Sequence, residues 1–387
     1  MAIPAHKSRT VLVFSERVTS YGRAVFAGMA AYSVEHGPWR FIPLQAPTGL
    51  LPATLREFRA DGTIVRVLTD RMTHLLLESG VPTVNLGLDE RCELPSVALD
   101  DIEVGRIAGN HLLQEDLASF AYCGVPWLWY SEPRSVGFCD TIRAAGRTCA
   151  SFDAPPHPTR SARGAEEARL EQWIVSLRKP VGVMACDDAR ARQVALACQR
   201  AGLRIPGDVA IVGAGNDPMI CEITDPPLSS VALAAERVGY EAARKLAQLM
   251  NAQPAPAERT KIIPPVGMVA RFSTHVTSTE DADVAQAMNF IRDHVQAGIT
   301  VEDVLRAIPL SRRTLELRFR SAIGRSPAEE IRRVRIERAK RLLVDTDAGM
   351  AGVAQASGFS SANQLCETFR REAGLSPTRY RKQFRAG

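Results

Sequence analysis

The sequence predicts two parts: an α/β part with parallel sheets over residues 1–280, then an all-α part with two helix-turn-helix units. Three observations predict this. Short apolar, β-rich runs alternate with helix-spaced segments from Thr10 to Met250. That is the pattern of parallel sheets covered by helices on both faces. Near the C-terminus, Ser311, Leu315, Phe319, Arg320, Gly324, Ser326 and Pro327 recur as Ser361, Leu365, Phe369, Arg370, Gly374, Ser376 and Pro377, always 50 positions on. A fixed offset marks one supersecondary unit present twice. Positive charge collects in the same stretch: from Ser311 onward 17 Lys and Arg face 8 Asp and Glu, whereas residues 1–280 hold 29 against 30. A neutral body joined to a basic tail is the footprint of a nucleic-acid-binding module attached to something else.

The α/β part opens on a strand over 10–14. A helix follows at 21–34, with Val25, Phe26, Met29 and Tyr32 on one side. Strands are expected at 62–68, 81–86, 120–124, 181–185 and 209–213, and helices at 73–79, 101–115, 189–201 and 234–250. Ligands in such sheets bind beyond the carboxyl ends of the strands. Those ends carry Ser15, Glu16, Tyr21 and Arg23, then Trp127, Trp129, Tyr130 and Arg134, then Asp187, Asp188, Arg190 and Arg192, then Asn216 and Asp217. Carboxylates, an amide and arginines suit vicinal hydroxyls, and aromatic rings stack on the apolar face of a pyranose. Each has a plainer alternative: Asp187 or Asp188 as a helix cap, the tryptophans as core, Arg134 as a surface arginine.

In the all-α part, Thr300 caps a helix with Glu302 and Asp303 in its first turn. Val301, Val304, Leu305 and Ile308 follow at helical spacing, and Pro309 ends the helix. Ser311 caps the next helix, where Leu315, Phe319 and Ala322 form one stripe and Arg312, Arg313, Glu316 and Arg320 point elsewhere. Gly324 closes it. This is a helix-turn-helix, whose second helix fits the major groove with its N-terminal residues nearest the bases. In the second copy Gly358 supplies the turn, and Ser361, Asn363 and Gln364 offer groups suited to base edges. Between the copies, residues 326–344 form an amphipathic connecting helix, with Pro327 at its start and Ile331, Val334, Ile336, Ala339, Leu342 and Leu343 on its apolar side. Its Arg332, Arg333, Arg335, Arg338, Lys340 and Arg341 meet either phosphates or solvent.

The runs SRRTLELRFRSAIGRSPAEEIRRVRIERAKRLL and VAQASGFSSANQLCETFRREAGLSPTRYR resemble the AraC-type DNA-binding domain. The resemblance implies two units reading successive major-groove segments, about 34 Å apart on one DNA face. It points to Ser311, Arg312, Arg313, Arg320, Ser361, Asn363, Gln364 and Arg370 as DNA contacts. Leu365 and Glu367 depart from it, since an aromatic and a basic residue are usual there. The runs VGVMACDDARARQVALACQRAGLRIPGDVAIVGAGND, PPLSSVALAAERVGYEAARKLAQLM and PPVGMVARFST resemble the periplasmic-binding-protein-like sensor of LacI-type repressors. That implies two α/β lobes closing on a sugar, with the chain crossing near Leu99, 229–231 and Pro265. It carries over Arg134, Asp188 and Asn216 as ligand contacts, with Arg23, Asp217 and Trp129 beside them. Gly215 departs from it, because aspartate is common there.

The order of the two domains is similar to the xylose operon regulators, the XylR group. The expected division is a sugar-sensing domain at 8–275, a linker at 276–283 and a DNA-binding domain at 284–387. The group implies a homodimer on operator DNA that activates sugar catabolism through RNA polymerase, with xylose as effector. Another sugar, a sugar acid or a nucleoside stays open, as does repression. An enzyme is not expected: no Gly-x-Gly-x-x-Gly follows a strand, there is no Walker loop and no Gly-x-Ser-x-Gly elbow, and the seven histidines form no His-x-x-x-His pair. Neither a cofactor nor a metal is expected. The eight cysteines include no Cys-x-x-Cys, so reduced, buried thiols are expected. With 45% hydrophobic and 24% charged residues the chain is neither disordered nor a rod. No apolar run approaches the ~20 residues that span a bilayer, and 11–14 is too short for an export signal. A cytoplasmic location is expected.

Overall fold

The protein, seen here as a computed structural model, divides into two compact units, Met1–His275 and Val276–Gly387. The structure describes residues 8–14, 19–44, 51–66, 69–88, 92–152, 163–251, 259–274, 282–346 and 348–384. Ser15 and Glu16 lie outside the described residues.

The first unit begins with β1 (Arg9–Phe14), α1 (Ser20–His36), β2 (Trp39–Leu44), α2 (Leu51–Glu57), β3 (Gly62–Val65), α3 (Asp70–Ser79), β4 (Thr83–Asn85) and β5 (Ser96–Leu99). Then come α4 (Asp101–Leu112), β6 (Ser119–Cys123), α5 (Ser131–Ala144), β7 (Cys149–Ser151), α6 (Arg163–Ser176), β8 (Val181–Ala185), α7 (Asp188–Arg200), β9 (Val209–Gly215), α8 (Pro218–Cys221) and β10 (Ser229–Ala232). It ends with α9 (Ala235–Met250), β11 (Thr260–Ile263) and β12 (Gly267–Val269).

These strands make two sheets. The first has the order β11-β5-β4-β3-β1-β2 and is parallel throughout. The second has the order β12-β10-β9-β8-β6-β7 and is parallel except for β12, which runs antiparallel to β10. β3 and β8 are buried at every residue, as strands covered on both faces must be. The core of the first lobe joins Val11, Val13, Ile64 and Val84 to Val25 and Met29 of α1 and Val238 and Leu246 of α9. The core of the second joins Val183 and Ile211 to Ile174 of α6 and Val194 of α7. The chain passes between lobes after β5, after β10 and after β11.

Helices α4 and α5 touch backbone to backbone. A Cβ on Gly105 would lie 2.1 Å from the Arg134 carbonyl oxygen, and one on Gly137 would lie 2.0 Å from that of Ile102. Glycine is the residue that permits such an approach. It brings the start of α5 beside the start of α4. One cysteine expectation is corrected here: Cys139 of α5 and Cys149 of β7 are joined as a disulfide, with Cα atoms 5.6 Å apart. Sequence spacing of ten residues hides that proximity, which the turn between α5 and β7 creates. Cys123, Cys186, Cys198 and Cys221 are free and buried.

The second unit is helical: α10 (Ala282–His294), a 3-10 turn at Val295–Ala297, α11 (Val301–Ala307), α12 (Arg312–Ile323), α13 (Pro327–Asp345), α14 (Met350–Ala356), α15 (Ala362–Ala373) and α16 (Pro377–Phe384). Ala282 and Asp283, assigned to the linker from sequence, open α10 instead. Ser311, Ser326 and Ser361 each cap a helix by accepting a backbone N–H three residues on. Asp303 accepts from the Thr300 N–H at 2.7 Å, which makes a capping box at the start of α11. Two cores result. Val304, Leu315, Phe319, Ile331 and Val334 fill one. Ile336, Ala339, Leu343, Val353, Leu365 and Phe369 fill the other.

Candidate functional site

In the first unit, polar side chains converge at the carboxyl ends of both sheets. Arg134 is 3% exposed. Its Nε donates to Asp101 Oδ1 at 2.8 Å and its Nη1 to the Cys186 carbonyl oxygen at 2.6 Å. The guanidinium lies 4.4 Å from the Tyr130 ring centre. It is therefore no surface arginine. Burial raises the Asp101 carboxyl, and the Arg134 charge opposes that rise. Tyr130 donates its hydroxyl to Asp187 Oδ2 at 2.6 Å.

The neighbouring aspartates divide the roles left open by sequence. Asp187 caps α7, with Oδ1 accepting the Arg190 N–H at 2.7 Å. Asp188 is buried beneath it, with Oδ1 accepting from the Ser230 hydroxyl at 2.6 Å and Oδ2 from the Asp217 N–H at 2.8 Å. Burial raises its pKa against these two hydrogen bonds. Asp217 caps α8. Asn216 adopts a φ of 53°. It donates its N–H to Ser230 Oγ at 2.9 Å, and its Oδ1 accepts from Arg271 Nη2 at 2.7 Å. Gly215 now has a reason: its φ is +134°, and a Cβ there would lie 2.8 Å from Asp188 Oδ2.

The two lobes meet at this site. Arg66, at the end of β3, stacks 3.4 Å from the centre of the Trp129 ring. Burial pushes the Tyr21 phenol up to about 12, opposed by Arg66, reinforced by Asp101 and opposed again by Arg134. Arg134, Asp188, Asn216, Asp217 and Trp129 are thus brought to the facing strand ends. Arg23 is exposed on the first turn of α1. Arg190 turns away to Glu166, at 2.9 Å. Trp127 lines a separate recess of about 440 Å³ with Glu166 and Arg190. Arg66, Asp101, Ser230 and Arg271 escaped sequence reasoning. Arg66 left a signal, a cation in an otherwise apolar strand.

A buried polar chain runs from this site to the end of the unit. Ser229, next to Ser230, has its Oγ 2.7 Å from Thr274 Oγ1, which lies 2.8 Å from His111 Nε2. Burial pushes the His111 imidazole down to about 4. His111 of α4 is thus a member of this chain of bonds.

In the second unit, Ser311, Arg312, Arg313 and Arg320 are exposed on α12 or its cap, and Ser361, Asn363, Gln364 and Arg370 on α15 or its cap. Arg312 bonds to Glu302 at 2.7 Å. Gln364 Oε1 accepts from the Ser360 N–H at 3.0 Å. Several cations of the connecting helix, open from sequence between phosphates and solvent, have partners within the protein instead. Arg333 bonds Glu330 at 2.6 Å and Lys340 bonds Glu337 at 2.7 Å. Arg335 and Arg338 donate to the carbonyl oxygens of Ile299 and Ala356, at 2.8 and 2.6 Å. The Arg341 side chain lies outside what the structure describes. Among the described residues no helix is long and apolar enough to cross a membrane, and no group of three or more His, Cys, Asp or Glu could hold a metal.

Residues 110–274 match the family profile of a periplasmic binding protein-like domain, and residues 304–383 that of a helix-turn-helix domain. The xylose operon regulatory protein of Escherichia coli K12 is 26% identical over 388 residues, covering 97% of each chain. That of Haemophilus influenzae is 28% identical over 336 residues, covering 85% of this chain and 86% of its own. The solved structure of a xylose-binding transcription activator superposes with a TM-score of 0.67 at 24% identity, covering 98% of this chain and all of that one. Over nearly its whole length the chain is therefore similar to the xylose operon regulatory proteins, and it carries a periplasmic-binding-protein-like α/β domain followed by a helix-turn-helix domain.

Proposed function

We propose that the protein is a DNA-binding transcriptional activator controlled by a monosaccharide, D-xylose, held between the two lobes. The supporting observation is the convergence of Arg134, Asp188, Asn216 and Trp129 at the facing strand ends. A carboxylate has about four lone-pair sites, and on Asp188 the Ser230 hydroxyl, the Asp217 N–H and the Cys221 thiol already donate to it. The capacity that remains accepts from the sugar hydroxyls. The Asn216 amide nitrogen donates to them, Trp129 covers the apolar face of the ring, and Arg134 holds the floor. Xylose comes from the two curated relatives, whose names carry it.

Sugar acts on DNA binding only by favouring one arrangement of the lobes over another. Two chains then present α12 and α15 to operator half-sites. The test is a melting screen against xylose, arabinose, ribose and glucose. A ligand at 100 times its Kd adds about 2.7 kcal/mol. A shift with xylose alone supports the reading, and no shift with any pentose overturns the xylose assignment. A promoter fusion whose output falls with xylose would overturn activation.

A further inference from the structure

Six of the cationic side chains on α13 were candidates for phosphate contacts. Arg335 has a different position from a solvated phosphate ligand. It sits between Val334, which belongs to the core of the first helix-turn-helix unit, and Ile336, which belongs to the core of the second. Its side chain bridges the two. Nη2 donates to the carbonyl oxygen of Ile299, just before α11, at 2.8 Å. Its guanidinium carbon lies 5.8 Å from the centre of the Phe359 ring, in the turn before α15. Nε is buried. Arg335 also lines a recess of about 490 Å³ shared by the units.

The turn of the second helix-turn-helix touches the segment that leads into the first directly at this point. Gly358 has a φ of +78°, and a Cβ there would lie 1.9 Å from the Val295 carbonyl oxygen and 3.4 Å from Arg335 Nε. Only a residue without a side chain permits this approach. The flat guanidinium then fits against the same contact, where a flexible ammonium lacks the planar surface.

We infer that Arg335 is a positioning residue that locks the two helix-turn-helix units together and so fixes the spacing between the DNA segments they read. This rests on the reading of α12 and α15 as the helices that enter the grooves. A lock matters because adding one base pair between two segments both lengthens the site and rotates one segment about the helix axis. A rigid pair rejects that change and a loosened pair follows it.

The test uses the full chain. Sites are first selected from random duplex DNA with the wild-type protein. Duplexes are then made with the two segments at their selected spacing and one base pair closer or farther. Wild type is expected to lose about tenfold in affinity off the selected spacing, the cost of one poor base-pair contact. Arg335→Ala is expected to bind the three duplexes within about threefold of one another, well inside the cost of one mismatch. Arg335→Lys, which keeps the charge but not the plane, is expected to remain relaxed. Phe359→Leu is a second variant that keeps the core apolar, and the same relaxation is expected.

A phosphate contact predicts another result: uniform weakening on all spacings, a salt slope lower by about 1, and full rescue by lysine. That result overturns the inference and leaves the groove reading intact. Selection of no two-segment site by wild type overturns both together.

Discussion

At the scale of single residues, the buried charges decide which substitutions matter. Arg134 and Asp101 form a pair in which both side chains are 4% exposed. Removing one partner of such a pair costs roughly 3–5 kcal/mol, because the other charge stays buried. Arg134→Ala is therefore expected to lower the melting temperature of the first unit as well as its sugar response. Trp129→Ala separates the two effects. It removes the stacking surface without stranding a charge in the core, so xylose binding weakens about tenfold, the scale of an aromatic contact plus its buried area. DNA binding without sugar stays unchanged, as a gel shift would record.

His111 gives a pH prediction with a definite sign. Its folded pKa of about 4 lies below the ordinary value of 6.5. The unfolded chain therefore binds the proton first. Stability is complete above pH 6.5 and declines as pH falls toward 4. The loss is about 3 kcal/mol at 1.36 kcal/mol per pH unit. Denaturant melts between pH 7 and 4 should show this decline, and His111→Gln should flatten it.

At the scale of elements, the packing of α4 on α5 is the tightest constraint near the site. Gly137→Ala places a methyl 2.0 Å from the Ile102 carbonyl oxygen, against backbone that cannot yield. The expected cost is about 3 kcal/mol, at the upper end for overpacking, visible as a fall in the denaturation midpoint. The capping box of α13 is a milder case. Ser326 and Glu329 bond each other's backbone N–H, and Ser326→Ala is expected to cost about 1 kcal/mol.

What could be foreseen also divides by element. β8 was legible because all five of its residues are buried and apolar or glycine. α12 and α15 were legible from their repeated Leu and Phe stripe. α5 was not. Its buried face is Ser131, Arg134, Gly137, Phe138, Cys139 and Ile142, and half of that face is polar or absent. Apolar periodicity cannot find a helix that buries glycine against another backbone. β10 hid for a similar reason, since Ser229 and Ser230 are wholly buried hydrogen-bonding residues. The site was half visible for the same cause. Arg134 and Asp188 stood at recognisable strand ends, whereas Asp101 and Arg271 become partners only when distant segments meet.

At the scale of the whole molecule, the two compact units have separate hydrophobic cores. Calorimetry is expected to resolve two transitions. Saturating xylose should raise only the transition of the first unit, by about 5 °C at 100 times its Kd, given the size scaling of unfolding entropy. A shift of both transitions together would mean that the units unfold as one.

Helix α13 belongs to two cores at once, giving Ile331 and Val334 to one and Ile336, Ala339 and Leu343 to the other. A protein engineer meets this as a limit on modularity. A fragment cut after α12 lacks the helix that seals its core, and one begun at α14 lacks the same helix for the other. Exchanging one reading head for that of another regulator thus requires redesigning half of α13 while keeping the other half. The smallest portable piece is the run from α10 to α16, transplanted whole.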